Sequence, residues 1–219
     1  MLIPVKSLNS SKSRLSSCLS PIERRDFTLA MLKDIISSGL KSGRIIEILV
    51  ISYDTTVLKI AKQFGAKILK EKSQNGLNNA IKSGIELCLK RKAESVIIHP
   101  VDIPLATSED LIRIVDLKES PGVIIIPSKG FDGTTIMMLS PPHIIPTKYG
   151  KNSFIKHIRE ALKKGIYPQI LNLPNLSLDI DNPQDFLLLT RRGMNNYTRK
   201  FFEECKSHQS IANQGSRSL

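Results

Sequence analysis

The chain has 219 residues, 41% of them hydrophobic and 24% charged, which is the balance of a soluble globular fold with enough material for one substantial core. Its formal net charge is +12, a surplus that attracts phosphate, whether of a nucleotide, a phosphorylated metabolite or a nucleic-acid backbone. No segment has the roughly 18 apolar residues that span a bilayer, the start of the chain lacks a signal-peptide core, and three Cys without CxxC spacing read as free thiols of a cytoplasmic protein, not a disulfide frame or zinc site.

Met1 to Pro4 predicts a stub of a first strand, followed by a Ser-rich loop with Lys6, Lys12 and Arg14 spaced along it. Several cations and hydroxyls leaving a strand edge suit a triphosphate through charge-assisted hydrogen bonds, although the same composition fits a solvated basic loop, and GxxxxGK[ST] is absent. Ser20, Pro21 and Glu23 have the order of a capping box, predicting a long helix. Ile45 to Ile51 reads as a buried strand, Asp54 to Phe64 as a capped helix ended by Gly65, and Ala66 to Leu69 as a third strand. Gly76 permits close backbone approach, and Asn78 or Asn79 at the next helix start either caps it or offers its amide to a base or ribose.

Val96 to Ile98 is a short apolar run of the kind found in strands buried on both faces. Pro100 and Pro104 end it and hold Asp102 just beyond, at the carboxyl edge of a sheet, where open α/β folds bind ligands. A helix follows from Ser108. Val123 to Ile126 and Thr135 to Leu139 predict two further strands, joined by a turn, Ser128 to Thr134, with exposed backbone donors. Tyr149 to Ser153 places amides and a hydroxyl at the start of an amphipathic helix, Phe154 to Lys164. Near the end, Asp179 and Asp181 alternate in an extended segment and so share a side; paired carboxylates repel unless a cation sits between them. Pro183 opens a last core helix ending near Arg192, and from Gly193 the chain turns polar, with residues 207–219 expected as a frayed tail.

Alternation of strands and helices argues an α/β fold with a mainly parallel sheet covered on both faces. If the Asp179/Asp181 pair returns to the edge that carries Asp102, the three supply hard oxygen ligands of the kind Mg²⁺ takes beside substrate phosphates, opposite a basic arm. His99 reads as structural, and no Ser/His/Asp triad is present.

The ordered set IPVKSLNSSKSRLS, SPIERRDFTLAMLKDI, QNGLNNAIKSG, HPVDIPLATSEDL, DGTT, YGKNSFIKHIREA and LSLDIDNPQDF resembles the 2-phospho-L-lactate guanylyltransferases, across Ile3 to Leu189. The resemblance implies the three-layer nucleotide-diphospho-sugar transferase fold (GT-A-like, Rossmann-like), with a nucleotidyltransferase domain over 1–192 and a polar C-terminal helix and tail over 193–219. It implies transfer of guanylate from GTP to 2-phospho-L-lactate, with pyrophosphate released, in coenzyme F-420 biosynthesis; in some members phosphoenolpyruvate or a related acid such as 3-phospho-D-glycerate is the acceptor. Carried over, Lys6, Lys12 and Arg14 contact the GTP phosphates, Gly76 and Asn78 lie by the guanosine, and Asp102, Asp179 and Asp181 hold Mg²⁺. Thr134, Thr135, Gly150 and Ser153 bind the acceptor. The chain departs from the family where a longer glycine-threonine run is reduced to Asp132, Gly133, Thr134 and Thr135, with Thr135 where many members have Asn. A cytidylyl- or molybdopterin-guanylyltransferase on the same fold is the nearest rival, and a nucleic-acid-binding protein the remote one, since the basic residues are dispersed and no recognition motif appears. Phe201 and Phe202 suit either a homodimer contact or docking within the chain.

Overall fold

The computed structural model describes every residue except 9–11, 75, 193–195 and 216–219, and side chains are not described at 192 or 206–215. Seven strands form one sheet in the order β3-β2-β1-β4-β6-β5-β7: β1 (Leu2–Pro4), β2 (Leu49–Ser52), β3 (Lys67–Lys70), β4 (Val96–Ile98), β5 (Gly122–Pro127), β6 (Thr134–Ser140) and β7 (Gln169–Ile170). Only β6 runs against its neighbours; β1 pairs parallel with both β2 and β4, β2 with β3, and β5 with β7. The expected mainly parallel α/β sheet is therefore present.

Helices cover both faces: α1 (Pro21–Lys41), α2 (Thr55–Gln63), α3 (Leu77–Lys90), α4 (Ser108–Asp116), α5 (Ser153–Leu162), α6 (Pro183–Arg192) and α7 (Asn196–Gly215). Strand side chains alternate, so consecutive residues feed opposite layers. Leu2, Ile51, Ile98, Ile125 and Met137 pack on one side with Ile81 of α3 and Phe154 of α5. Ile3 and Val50 pack on the other with Leu32 and Ile35 of α1 and Val57 of α2, while Ile97, Ile124 and Met138 meet Ile114 of α4.

Local signals set most boundaries. The Ser20/Glu23 capping box is formed, with the Ser20 amide 2.7 Å from a Glu23 carboxylate oxygen. Asp54 caps α2 through Thr56 and Val57, and Thr107 with Asp110 forms a second capping box at α4. The expected strand over Ile45–Ile51 is shorter, beginning at Leu49, because β1 supplies partners only from Leu2, which lies opposite Leu49. Ile46, left outside the ladder, is fully exposed.

The chain after α6 joins the core. Helix α7 reaches Gly215, through residues 207–215 that were expected as tail, and lies along α1. Phe201 and Phe202 dock within the chain: Phe201 stands 5.3 Å from Phe27 and Phe202 4.7 Å from Phe186, ring centre to ring centre. The buried Asp34 of α1 holds the start of α7, accepting from the Tyr197 amide at 2.9 Å, the Thr198 amide at 2.8 Å and the Thr198 hydroxyl at 2.5 Å. No helix among the described residues is long and apolar enough to cross a membrane.

Candidate active site

The carboxyl ends of β1 and β4 lie side by side, and the two sequence segments of interest leave the sheet there. After Pro4, the Val5 amide continues the ladder to the Ile51 carbonyl at 2.9 Å, and the Leu8 amide donates to Asp54 at 3.1 Å, which folds the basic loop back over the edge. Lys12 has φ 52 and ψ 37, a left-handed conformation uncommon for a residue with a side chain, and opens a short 3₁₀ turn over Ser13–Leu15. That turn aims its ammonium inward: the side chain is only 6% exposed, and Nζ lies 3.1 Å from Asp181 and 3.6 Å from Asp102.

Asp102 sits beyond the last ladder bond of β4, in which the His99 amide donates to the Leu2 carbonyl at 2.9 Å. The Ile180 amide then donates to the Asp102 carbonyl at 3.0 Å. This one backbone bond fixes Asp179-Ile180-Asp181 beside Asp102, so residues nearly eighty positions apart share one edge. Asp179 feels the crowding: burial first, then the charges of Asp102 and Asp181, push its carboxyl up to about 6. Of the three acids expected to meet, Asp102 and Asp181 share the edge and face Lys12, while Asp179 lines neither cavity described below.

A cavity of about 310 Å³ lies over this edge, lined by Lys6, Lys12, Arg14, Asp102 and Asp181 with Pro4, Val5 and Leu77. Lys6 and Arg14 are exposed at its rim. A second cavity of about 170 Å³ shares the Pro4, Val5, Lys6 and Leu77 wall and extends toward Tyr53, Glu71, Gln74 and Gly76. Gly76 has φ +86 with open space where a side chain would project, so it can turn the backbone at the head of α3 without obstructing the cavity.

The donor set fits a divalent cation of the Mg²⁺ type. Among the described residues no three acidic, His or Cys side chains are close enough together to form a metal-holding group. Mg²⁺ does not need one, because it commonly takes one or two carboxylates and completes its shell with water and substrate phosphate. Asp102 and Asp181, both partly exposed and lining the cavity, are such a pair.

The remaining expected residues form a neighbouring cluster that lines neither cavity. The Ser153 hydroxyl accepts from the Thr134 amide at 2.9 Å, and Thr135 donates its hydroxyl to the Ile126 carbonyl at 3.1 Å. Gly150, φ +119, is exposed with open space around its α-carbon. The turn before Thr134 differs from expectation, since its donors are largely consumed: the amides of Gly133 and Phe131 donate to Ser128, and that of Lys129 to the Ser177 carbonyl. Asn78 also differs. It caps no helix; the head of α3 is Gly76, and the Asn78 amide instead clamps the Tyr149 backbone, donating to the carbonyl at 3.0 Å and accepting from the N–H at 2.8 Å. That clamp ties the Gly150–Ser153 segment to the helix beneath the main cavity.

Sequence reasoning did not find the clamp, because its two halves lie 71 residues apart and neither carries a local signature. Nor did it find His157. The Lys148 amide donates to His157 Nε2 at 2.8 Å, which leaves the ring proton on Nδ1, 2.8 Å from the Thr134 hydroxyl. Burial lowers both His157 and His99 to about 4. Both rings are therefore neutral when folded and gain protons on unfolding below their ordinary value of 6.5, so their contribution is complete above about pH 6.5 and is lost as pH falls toward 4. Urea unfolding from pH 4 to 7 should show stability rising through this window, and His157→Gln should flatten the rise; an unchanged slope in the variant would contradict the assignment.

Comparison with solved structures gives the class. A Desulfovibrio desulfuricans G20 chain provisionally described as a nucleotide-diphospho-sugar transferase superimposes with a TM-score of 0.76 at 13% identity, covering 97% of this chain and 96% of that one. A nucleotidyl transferase from Methanothermobacter gives 0.66 at 14% identity, covering 91% and 97%. The architecture is that of the nucleotidyltransferases. Within that class the chain belongs to the guanylyl transferase CofC-like family, whose model matches residues 1–217. Similar relatives include a 2-phospho-L-lactate guanylyltransferase of Methanobrevibacter smithii, 37% identical over 94% of this chain and 89% of its own length, and a phosphoenolpyruvate guanylyltransferase of Rubrobacter xylanophilus, 33% identical over 88% and 93%.

Proposed function

We propose that this guanylyltransferase joins GTP to 2-phospho-L-lactate, giving lactyl-2-diphospho-5′-guanosine and pyrophosphate, as a step of coenzyme F-420 biosynthesis. The observation that carries the reading is one cleft at the sheet edge where Lys6, Lys12 and Arg14 face Asp102 and Asp181, in a chain whose relatives carry that activity in their names. Phosphoenolpyruvate is the second acceptor to consider, on the strength of the Rubrobacter relative.

In this reading an acceptor phosphate oxygen attacks the α-phosphorus of GTP in line, the bond to the β-phosphate oxygen breaks, and pyrophosphate leaves. The nucleophile is already anionic at neutral pH, so no base is required. The two buried histidines suit that economy: His157 uses both ring nitrogens structurally, and His99 is held neutral with Nδ1 2.9 Å from the Pro100 carbonyl. The chain's contribution is positioning and charge. Lys6 and Arg14 would hold the outer phosphates, Lys12 would neutralise charge near the α-phosphate, and the Gly150–Ser153 segment would hold the acceptor. Asp102 and Asp181, with Asp179 behind them, would hold Mg²⁺. When bound, the ion supplies Lewis-acid charge neutralisation at the phosphates.

Purified protein with GTP and Mg²⁺ should release pyrophosphate in the presence of 2-phospho-L-lactate, and mass spectrometry should find the lactyl-diphosphoguanosine product. Phosphoenolpyruvate and 3-phospho-D-glycerate serve as competing acceptors, and CTP as competing donor. Faster turnover with another acid would replace the acceptor, and faster turnover with CTP would overturn the donor.

A further inference from the structure

We propose that Glu71 is the residue that selects guanine, its carboxylate accepting from the N1–H and the 2-amino group on one edge of the base. The proposal rests on the guanylyltransferase reading and adds to it the side chain that distinguishes one nucleobase from another.

Three observations support it. First, Glu71 follows β3 directly, and its amide extends the parallel ladder to the Ser52 carbonyl at 3.0 Å, so the residue is held by the sheet rather than by a free loop. Second, among the described residues it is the only carboxylate lining the smaller cavity, which shares Lys6 and Leu77 with the larger one and has apolar walls in Val5, Leu77 and Ala80 and an aromatic ring in Tyr53. Third, its carboxylate has no hydrogen bond or ion pair among the described residues, although burial already lifts it above the ordinary range of a Glu. In a chain of charge +12, an acid left without a cation at the far end of a basic cleft is available to a ligand. It stands in a cavity separate from Asp102 and Asp181, which do not line it, so the metal reading does not absorb it.

The alternative reader fails on geometry. Asn78 has both polar atoms of its side chain engaged with the Tyr149 backbone, and turning them to a base would release the clamp. A carboxylate matches guanine for a simple reason: two acceptor oxygens face two adjacent donors. Adenine and cytosine each present a ring-nitrogen acceptor on the corresponding edge, which repels a carboxylate, and uracil has one donor between two carbonyls. Inosine keeps N1–H but lacks the 2-amino group, so it isolates half of the pair.

The test is the affinity of the full-length protein for GTP, ITP and ATP with Mg²⁺, measured by titration calorimetry without acceptor, for the wild type, Glu71→Gln and Glu71→Asp. The wild type should bind GTP about tenfold or more tighter than ITP, and ITP tighter than ATP, as hydrogen bonds to a charged group allow. Glu71→Gln, which keeps the shape, should weaken GTP about tenfold or more and reduce the GTP-over-ITP ratio toward one, without weakening ATP. Glu71→Asp should fall between. Wild-type selectivity retained in Glu71→Gln would overturn the proposal, as would a wild type that does not distinguish GTP from ATP. A wild type that binds GTP selectively, loses that in Glu71→Gln, but transfers guanylate to none of the phospho-acids would sustain Glu71 and sink the acceptor reading alone.

Discussion

Asp102→Asn is expected to lower turnover about 100-fold or more at saturating GTP and Mg²⁺ while leaving the protein folded. The side chain is one-third exposed and its ion pair with Lys12 is long at 3.6 Å, so the loss of charge should change stability by no more than about 1 kcal/mol. The backbone carbonyl that holds Ile180 is untouched by the substitution. On the proposed reading this carboxylate would hold the ion that neutralises phosphate charge, and losing electrostatic stabilisation of that kind costs about 100- to 1000-fold in rate. Initial-rate assays with a thermal melt on the same preparation separate the two effects. Near-normal turnover in Asp102→Asn would remove this carboxylate from the metal site.

Lys12→Met tests the other half of the same balance. The ammonium is almost fully buried between Asp181 and Asp102, and the variant leaves those acids and Asp179 facing one another. Losing a charge-assisted hydrogen bond of this kind should cost about 1–3 kcal/mol in metal-free buffer. The sign with pH follows from Asp179. Its folded carboxyl is raised to about 6 from 3.8, so its favourable contribution is complete below about pH 3.8 and is lost as pH rises through 6. Both proteins lose that contribution, but the variant should be weakest relative to wild type above about pH 6, where Asp179 is ionised as well and no ammonium offsets the acids around it. Added Mg²⁺ should restore more stability to Lys12→Met than it adds to wild type, because an ion that binds only the folded state stabilises it by mass action and no longer competes with the ammonium. Turnover should still fall about 100-fold, since the phosphates lose the same cation. Equal Mg²⁺-induced shifts in the melting temperature of both proteins would mean that Lys12 and the ion do not share a place.

Much of the architecture was legible because its signals are local. The Val96–Ile98 run, the prolines around Asp102 and the capping residues at Ser20 and Asp54 each act within a turn of chain, and the elements they predict are the ones observed. Boundaries failed where a partner decides them: Ile45–Ile48 are as apolar as a strand requires, but β1 begins too late to pair with them. The acidic edge was legible as a possibility, because two short motifs had compatible chemistry; the Ile180–Asp102 backbone bond that unites them has no side-chain signature. Asn78 and Asp34 illustrate the same limit. Asn78 reads as a helix cap or a base contact and Asp34 as an ordinary helix residue, yet one clamps a segment 71 positions away and the other holds α7 from 163 positions away. Phe201 and Phe202 likewise gave no sign of whether their partner lay in the same chain, and Phe27 and Phe186 supply it.

The link between the Ile180 amide and the Asp102 carbonyl has an evolutionary corollary. It welds the two acidic motifs at one point, while the chain between them returns to the sheet as β5 and β6, whose short joining turn over Lys129–Asp132 is exposed outside the core. Insertions, deletions and side-chain replacements in that turn should therefore leave the Asp102–Ile180 link and the acidic edge in place. A longer turn grafted there would be tolerated by the sheet on either side, which closes on itself through the β5–β6 ladder.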